Sequence, residues 1–181
     1  MEPLKIIQKY YHPNTKAYNL LIRHSTQVAN KALEIAKKLK DPHIDLKFIK
    51  EAAMLHDIGI FKTYAPSLGC YGNKPYICHG YLGREILEKE GLPKHALVCE
   101  RHIGVGITKE EIERKKLPLP KRDMVPISLE EKIICFADKF FSKSSPKEKS
   151  ISEIKKELSK IGKDKVKKFE KWLKLFTTEE N

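Results

Sequence analysis

The stretch Glu51-Ala-Ala-Met-Leu-His-Asp-Ile-Gly59 decides how the rest of the chain is organised. Its apolar residues predict the last two turns of a helix, and Gly59 can supply a left-handed stop. His56 and Asp57 then stand side by side at the end of an apolar helix. Because a desolvated charge is costly unless it is paired, these two side chains need a partner. A metal ion suits them, and an ordinary helix end with a hydrogen-bonded histidine is the alternative.

The bulk composition predicts one globular domain with an appended element. The chain has 181 residues, of which 40% are hydrophobic and 33% are charged. No window has the roughly 18 unbroken apolar residues of a membrane span, and the first residues do not resemble an export signal. We therefore expect a cytoplasmic protein with reduced cysteines and no membrane partner.

The positive charge is concentrated late in the chain. The net charge is +12, and the segment from Lys139 to Lys174 holds 13 lysines against 5 acidic residues. A basic surface can bind nucleic acid or an anionic ligand. Because the excess is lysine with few interleaved aromatic residues, a solvated helical surface is the simpler interpretation. A nucleic-acid partner stays open but is not favoured.

Helical periodicity and capping residues predict an all-α fold without convincing strands. Asp45 can cap the helix that ends at Gly59, and Thr108, Ser128 and Ser150 have the spacing of capping boxes. Residues 60–77 have the composition of a long loop. The other predicted helices cover residues 4–11, 17–39, 78–89, 93–102 and 129–141, with a short helix after Thr108 and a helical hairpin to Phe176.

The chain is predicted to divide near residue 143. The main domain covers residues 1–143, and residues 144–181 form a lysine-rich helical extension packed on it. We expect Trp172, with Phe169 or Phe176, to hold this extension on the main domain.

Six polar residues interrupt otherwise apolar helical faces in separate parts of the chain. One such residue is usually a hydrogen-bonded core residue, but six that are all histidine or aspartate favour a metal centre. Imidazole and carboxylate together suit iron, manganese, cobalt or zinc. A catalytic zinc ion usually takes about three protein ligands, so six are too many for one such ion. Six ligands fit a site for two divalent ions. The six residues are His24, His56, Asp57, His79, His102 and Asp138.

This pattern resembles the metal-binding pattern of the HD-domain phosphohydrolases, with His56-Asp57-Ile58-Gly59 as the HDIG form of its core. The resemblance covers about residues 17–143, and His79 and His102 look like the two extra histidines of binuclear members. Among these, the chain is similar to the bacterial HD-type diadenosine tetraphosphate hydrolases and to uncharacterised HDIG proteins. The run from Ser128 to Lys139 is similar to their final ligand helix. The resemblance implies an HD-domain helical bundle.

The resemblance also implies a di-metal centre that hydrolyses a phosphoester or phosphoanhydride. Asp57 bridges the two ions, and the substrate is a nucleotide or another small phosphorylated metabolite. The implied ligands of the first ion are His24, His56, Asp57 and Asp138, and those of the second are Asp57, His79 and His102.

Three basic residues are candidates for binding the phosphate of the substrate. Lys62, five residues after Asp57, is the strongest and is counted with Asp57 as catalytic. Arg101, next to a predicted ligand, and Arg23 are weaker candidates. Each of the three could equally be a surface charge.

Two other functions remain open. The same six-ligand pattern occurs in HD-fold mixed-valence di-iron oxygenases, so the ligands alone do not separate oxygenase from hydrolase. A signalling or nucleic-acid module without catalysis is the third hypothesis, although such a module does not need an open metal pair. A homodimer also stays open.

Overall fold

A computed structural model describes residues 1–177 as a bundle of α-helices, which confirms the predicted fold class. The last residues of the predicted extension, 178–181, lie outside the described residues. The helices are α1 (Pro3–Tyr10), α2 (Lys16–Lys38), α3 (Leu46–Leu55), α4 (His79–Lys89), α5 (Pro93–Arg101), α6 (Lys109–Arg114), α7 (Leu129–Asp138), α8 (Ile151–Ser159) and α9 (Lys163–Thr177).

The loop predicted over residues 60–77 is more ordered than expected. It contains a small antiparallel hairpin of β1 (Tyr64–Ala65) and β2 (Cys70–Tyr71). The expectation of no strand was wrong here, because strands of two residues are too short to show alternation. Three short 3₁₀ turns, Ile58–Lys62, Pro66–Leu68 and Tyr76–Cys78, complete the segment.

The predicted N-caps form, but not every capping box does. Within residues 1–177, the reciprocal bond from the N-cap N–H to the glutamate is present at Ser150 and not at Thr108 or Ser128. The side chains of Asp45, Thr108, Ser128 and Ser150 each accept the backbone N–H three residues further on. A cap of this kind stabilises a helix by about 1 kcal/mol. The caps fix the first residues of α3, α6, α7 and α8. They therefore also help to fix the positions of the side chains at the carboxyl ends of these helices.

The main core lies where α2 crosses α3 and α7. Ile49 of α3 and Ile133 of α7 are fully buried there together with Val28 of α2. A second apolar cluster joins α1 and α2 to the end of α3 and to α4 and α5. The two clusters meet along α2 and α3, so the carboxyl end of α3 lies between them.

The carboxyl-terminal hairpin of α8 and α9 packs on α7 through its apolar side chains. Phe169, Trp172 and Phe176 are all buried, and the Phe169 ring stacks on Phe136 with 5.1 Å between ring centroids. Lys165 of α9 donates to the Gly106 carbonyl at 2.9 Å and contacts the Glu111 carboxylate. The division of the chain at residue 143 stays a prediction.

Each of the four cysteines is free and buried. The Cys99 thiol donates to the Leu55 carbonyl at 3.1 Å, and the Cys135 thiol donates to the His102 carbonyl at 3.2 Å. Both thiols therefore cap backbone carbonyls beside predicted metal ligands.

Within residues 1–177, none of the helices combines the length and the apolar content needed to cross a bilayer.

Candidate metal centre

The carboxyl end of α3 delivers His56 and Asp57 into the interior, where both side chains are fully buried. The chain then turns directly into the 3₁₀ segment Ile58–Lys62. The Tyr11 hydroxyl holds this turn, because it donates to the Ile58 carbonyl at 2.8 Å and accepts the Phe61 N–H at 3.1 Å.

Gly59 is required at this turn for a different reason from the predicted one. Its φ is not in the left-handed region, so the expected left-handed stop was wrong. A Cβ on Gly59 would lie 2.2 Å from the His79 carbonyl oxygen and 2.5 Å from the Gly83 nitrogen. The missing side chain lets α4 approach the turn closely, and this approach brings His79 beside Asp57.

The remaining predicted ligands come from the other helices around this turn. His24 lies within α2, and His79 is the first residue of α4. His102 follows the last residue of α5, and Asp138 ends α7. All of these side chains are buried. The fold therefore brings together six residues that are widely separated along the chain.

The first group of ligand atoms surrounds one oxygen of Asp57. His24 Nε2 lies 3.2 Å from Asp57 Oδ2 and 2.9 Å from Asp138 Oδ1. His56 Nε2 lies 3.0 Å from Asp57 Oδ2 and 3.4 Å from Asp138 Oδ1. The four residues offer ligand atoms that all lie within 4.8 Å of one another.

The second group surrounds the other oxygen of the same carboxylate. Asp57 Oδ1 lies 3.3 Å from His79 Nε2 and 3.4 Å from His102 Nε2. Asp57 therefore belongs to both groups, which is the arrangement that a carboxylate bridging two cations needs.

Backbone carbonyls orient three of the four imidazoles. His56, His79 and His102 each place Nδ1 on the carbonyl three residues earlier in the chain, at 2.6, 2.6 and 2.7 Å. A carbonyl accepts only, so each Nδ1 carries the proton when the ring is neutral. Each Nε2 lone pair then faces the centre, as in histidines that bind metals.

The buried polar atoms fit metal ions better than they fit one another. His79 Nε2 and His102 Nε2 are 3.2 Å apart, and in the neutral rings both are acceptors. Within residues 1–177, neither oxygen of Asp57 has a hydrogen bond of acceptable geometry, although nitrogens surround both oxygens. Facing acceptors without a donor between them, such as these two imidazole nitrogens, are costly when buried. A cation between them and Asp57 Oδ1 would satisfy all three atoms.

The charges in the centre shift its pKa values strongly. Burial by itself lowers the pKa of His56, but Asp57 and Asp138 outweigh it and raise that pKa to about 10. Burial, with the neighbouring imidazoles, lowers the pKa of His102 to about 4. Burial favours the neutral form of Asp57, yet His56 and Lys143 hold the pKa of this carboxyl well below its ordinary value. Two carboxylates therefore stay ionised, which a divalent cation requires of its ligands.

Two lysines that were not predicted from the sequence lie in contact with these carboxylates. Lys143 Nζ lies 2.6 Å from Asp57 Oδ2, and Lys139 Nζ lies 2.9 Å from Asp138 Oδ2. Both ammonium groups are largely buried, and the pKa of Lys143 is raised because the Asp57 charge outweighs the effect of burial. Lys139 directly follows a predicted ligand, which was the one available signal. Lys143 lies in a loop of a lysine-rich segment, and no feature of the sequence distinguished it from the other lysines there.

The three basic residues predicted to bind phosphate lie outside the ligand cluster. Arg101 forms an ion pair with Glu131 at 2.9 and 3.1 Å. Arg23 donates to the Lys143 carbonyl at 2.6 Å, so it supports the backbone of that lysine. Lys62 is absent from the cavity wall formed by the described residues. Their role in substrate binding stays a prediction.

A cavity of about 730 Å³ opens beside the cluster. His24 and Asp138 line it at one end, together with Lys139 and Lys143. A ligand can therefore reach the carboxylates and both lysines from solvent. The volume falls within the about 300–1,000 Å³ of small-molecule sites.

Comparison with known proteins identifies the class. The sequence matches the HD domain over residues 21–143, and the protein belongs to this family of metal-dependent hydrolases. It is 40% identical, over 121 residues, to an uncharacterised protein of Methanocaldococcus jannaschii. That match covers 65% of this chain and 64% of the relative.

Two further relatives are named as tRNA (cytidine(56)-2'-O)-methyltransferases. The one from Picrophilus torridus is 37% identical and the one from Thermoplasma volcanium 35%, each over 127 residues. The matches cover 70% of this chain but 33% of each relative. The chain thus spans about a third of the length of these methyltransferases. No solved structure matches significantly.

Proposed function

We propose that the protein is a hydrolase that cleaves a phosphoester or phosphoanhydride of a small phosphorylated metabolite with the help of two divalent ions. The supporting observation is the cluster of Nε2 atoms and carboxylate oxygens with two buried ammonium groups at its edge. Mixed nitrogen and oxygen ligands suit iron, manganese, cobalt or zinc. A nucleotide is one substrate that fits this description.

Different residues of the chain would bind the two ions and orient the imidazoles. The first group, ending with Asp138, would hold one ion, and Asp57, His79 and His102 would hold the other. Bound there, such ions supply an acidified water as nucleophile and neutralise charge on the phosphoryl oxygens. The backbone carbonyls keep the imidazoles in the required tautomer, and burial excludes bulk water from the ligands.

Lys143 and Lys139 favour an anionic substrate. Each ammonium group now neutralises a carboxylate that a bound cation would neutralise instead. The ammonium groups would then be available to phosphate oxygens entering the cavity, where charge-assisted hydrogen bonds are strong. A neutral polyol would gain little from them, and this argues against an oxygenase that acts on polyols.

The test is to load the protein with Fe²⁺, Mn²⁺, Co²⁺ or Zn²⁺ and incubate it with phosphate esters, nucleotides, polyols and organophosphonates. Release of inorganic phosphate that disappears in Asp57→Ala supports the proposal. Oxygen consumption without phosphate release would contradict it and support the oxygenase. Glu34→Ala is the matched control, since this exposed carboxylate pairs with Lys38 and belongs to neither ligand group.

RNA is a second candidate substrate, and the two methyltransferase relatives favour it. A match of 127 residues must include much of residues 21–143, so their HD region is joined to an enzyme named for tRNA. The net charge of +12 would favour a polyanion. Salt-sensitive binding of tRNA, with cleavage of a terminal phosphate, would support this candidate over a free metabolite.

A further inference from the structure

The cavity beside the metal ligands is completed by residues outside the matched HD domain. The family match ends at residue 143, yet the wall continues through the linker and α8. The wall residues beyond the match are Ser144, Lys149, Ile154, Glu157, Leu158 and Ile161. This part of the wall therefore does not come from the region that defines the family, and family membership gives no information on what it binds.

The wall of the cavity combines two kinds of surface. Beside the predicted metal ligands, here called the ligand end, it carries Lys139 and Lys143, which suit a phosphate group. Elsewhere the wall has apolar side chains, among them Phe141, Ile161 and Tyr64, with polar ones between them, among them Ser67, Ser142 and Glu157. Ile161 is 49% exposed and Tyr64 is 64% exposed, so both offer apolar surface to a ligand.

The position of Ile161 is fixed rather than loose. Its backbone N–H donates to the Leu158 carbonyl at 3.0 Å, directly after α8. An ion pair between Lys149 and Glu157, at 2.7 Å, joins α8 to the linker that carries Lys143. These contacts connect the segment that carries Ile161 to the linker that carries Lys143.

We propose that the carboxyl-terminal extension selects the organic part of the substrate, and that this part is an apolar group of ring size lying against Ile161 and Tyr64. The inference rests on the proposed function, because it takes the phosphate to lie at the ligand end. Against Ile161 and Phe141 a hydroxyl-rich group would lose hydrogen bonds to water and gain none, which is costly. Burial of apolar surface favours the ring.

The test measures binding, which is independent of turnover. Two phosphonates with the same head group are titrated into the metal-loaded protein by calorimetry: methylphosphonate and 1-naphthylmethylphosphonate. The naphthyl compound should bind at least about tenfold more tightly, since it buries a large apolar area. Ile161→Asn should reduce this ratio by about fivefold.

Matched controls separate the wall from general effects. Ile151 is the first residue of α8, the helix that Ile161 follows, and it is 41% exposed. It is not part of the cavity wall among the described residues, so Ile151→Asn should leave the ratio unchanged. The second comparison uses Tyr64, which lines the cavity, and its cross-strand partner Tyr71, which does not line it among the described residues. Tyr64→Ala should lower the ratio, and Tyr71→Ala should not.

Equal affinities for the two phosphonates would overturn the inference. An equal change in Ile161→Asn and Ile151→Asn would overturn it as well. The proposed function fails separately: if the ratio behaves as expected while none of the phosphate esters is cleaved, the apolar subsite is supported and hydrolysis is refuted.

Discussion

Lys143 is the residue whose role the structure changes most. Its ammonium group contacts Asp57 Oδ2, the same oxygen that His24 and His56 approach. The Arg23 guanidinium donates a hydrogen bond to the backbone carbonyl of Lys143. The contact with Asp57 places the ammonium group beside the predicted ligands and on the wall of the cavity. We expect a lysine in this position to bind the phosphate of a substrate rather than the metal.

Replacing Lys143 tests this role. Lys143→Met should lower kcat/KM for a phosphate substrate by roughly 30-fold or more, the cost of losing a buried charged hydrogen bond, while metal content is retained. The control is Lys147→Met, because Lys147 is exposed in the same linker and does not line the cavity formed by residues 1–177. Equal kinetics in the two variants would remove Lys143 from the site.

Gly59 allows α4 to approach the turn that follows α3. Gly59→Ala would push a methyl group into the His79 carbonyl and the Gly83 nitrogen. Because both are backbone atoms, α4 must move, and stability should fall by about 2 kcal/mol or more. Metal stoichiometry, measured by elemental analysis, should drop at the same time.

Gly162→Ala is the matched control for this change. The Cβ it adds meets mainly the side chain of Asp164, which is exposed and can move aside. A full metal complement in Gly59→Ala would show that the close approach of α4 does not position His79.

At the scale of elements, α9 is tied to α6 by a buried ion pair. Lys165 contacts Glu111 and the Gly106 carbonyl, and Lys115 also contacts Glu111 at 2.8 Å. Burial raises the pKa of Glu111, but the two lysines outweigh it and hold this pKa below its ordinary value of 4.5. The pair thus joins the extension to the segment between α5 and α7 that contains α6.

Removing Lys165 should weaken this connection in a pH-dependent way. Lys165→Met should cost about 2 kcal/mol at neutral pH, where Glu111 is ionised. A lowered folded-state pKa contributes stability above the unfolded value that is lost as pH falls through the folded value. The difference from wild type in urea unfolding should therefore shrink below pH 4.5.

Lys167→Met is the control, since Lys167 is exposed on the same helix. A difference between Lys165→Met and wild type that stays constant with pH would contradict a role for the Glu111 charge.

The elements also show how far sequence reasoning reaches. His24 and Asp138 could be found because each interrupts a long apolar helical face, and such interruptions are visible without coordinates. Lys143 could not, because it lies in a loop where spacing carries no information. The hairpin of β1 and β2 was missed for the same reason, and the close approach at Gly59 depends on a contact between elements that are far apart in sequence.

For the whole molecule, metal bound at the candidate centre would stabilise the fold as well as form a site. Ligands from α2, α4 and α7 and from the ends of α3 and α5 meet there, so an ion would cross-link much of the bundle. An ion at 100 times its dissociation constant adds about 2.7 kcal/mol if it binds only the folded state. Addition of Mn²⁺ should therefore raise Tm, and the increase should diminish in acid because the imidazoles must be deprotonated.

Variants connect this stabilisation to named ligands. His56→Ala, Asp57→Ala and His79→Ala should each lose bound metal, and the rise in Tm should shrink with it. His95→Ala is the control, because His95 pairs with Glu51 at 3.4 Å and belongs to neither ligand group. Unchanged metal occupancy in His56→Ala and Asp57→Ala would refute the assignment of the site.

The buried thiols make the opening of the protein measurable. Burial raises the pKa of Cys99 well above its ordinary value and that of Cys135 to about 12, so at neutral pH both groups stay in the unreactive protonated form. A thiol-reactive dye can label them after the helices around the ligands separate. The labelling rate would therefore report how often this region opens, and its slowing by added Mn²⁺ would follow metal binding without an assay of catalysis.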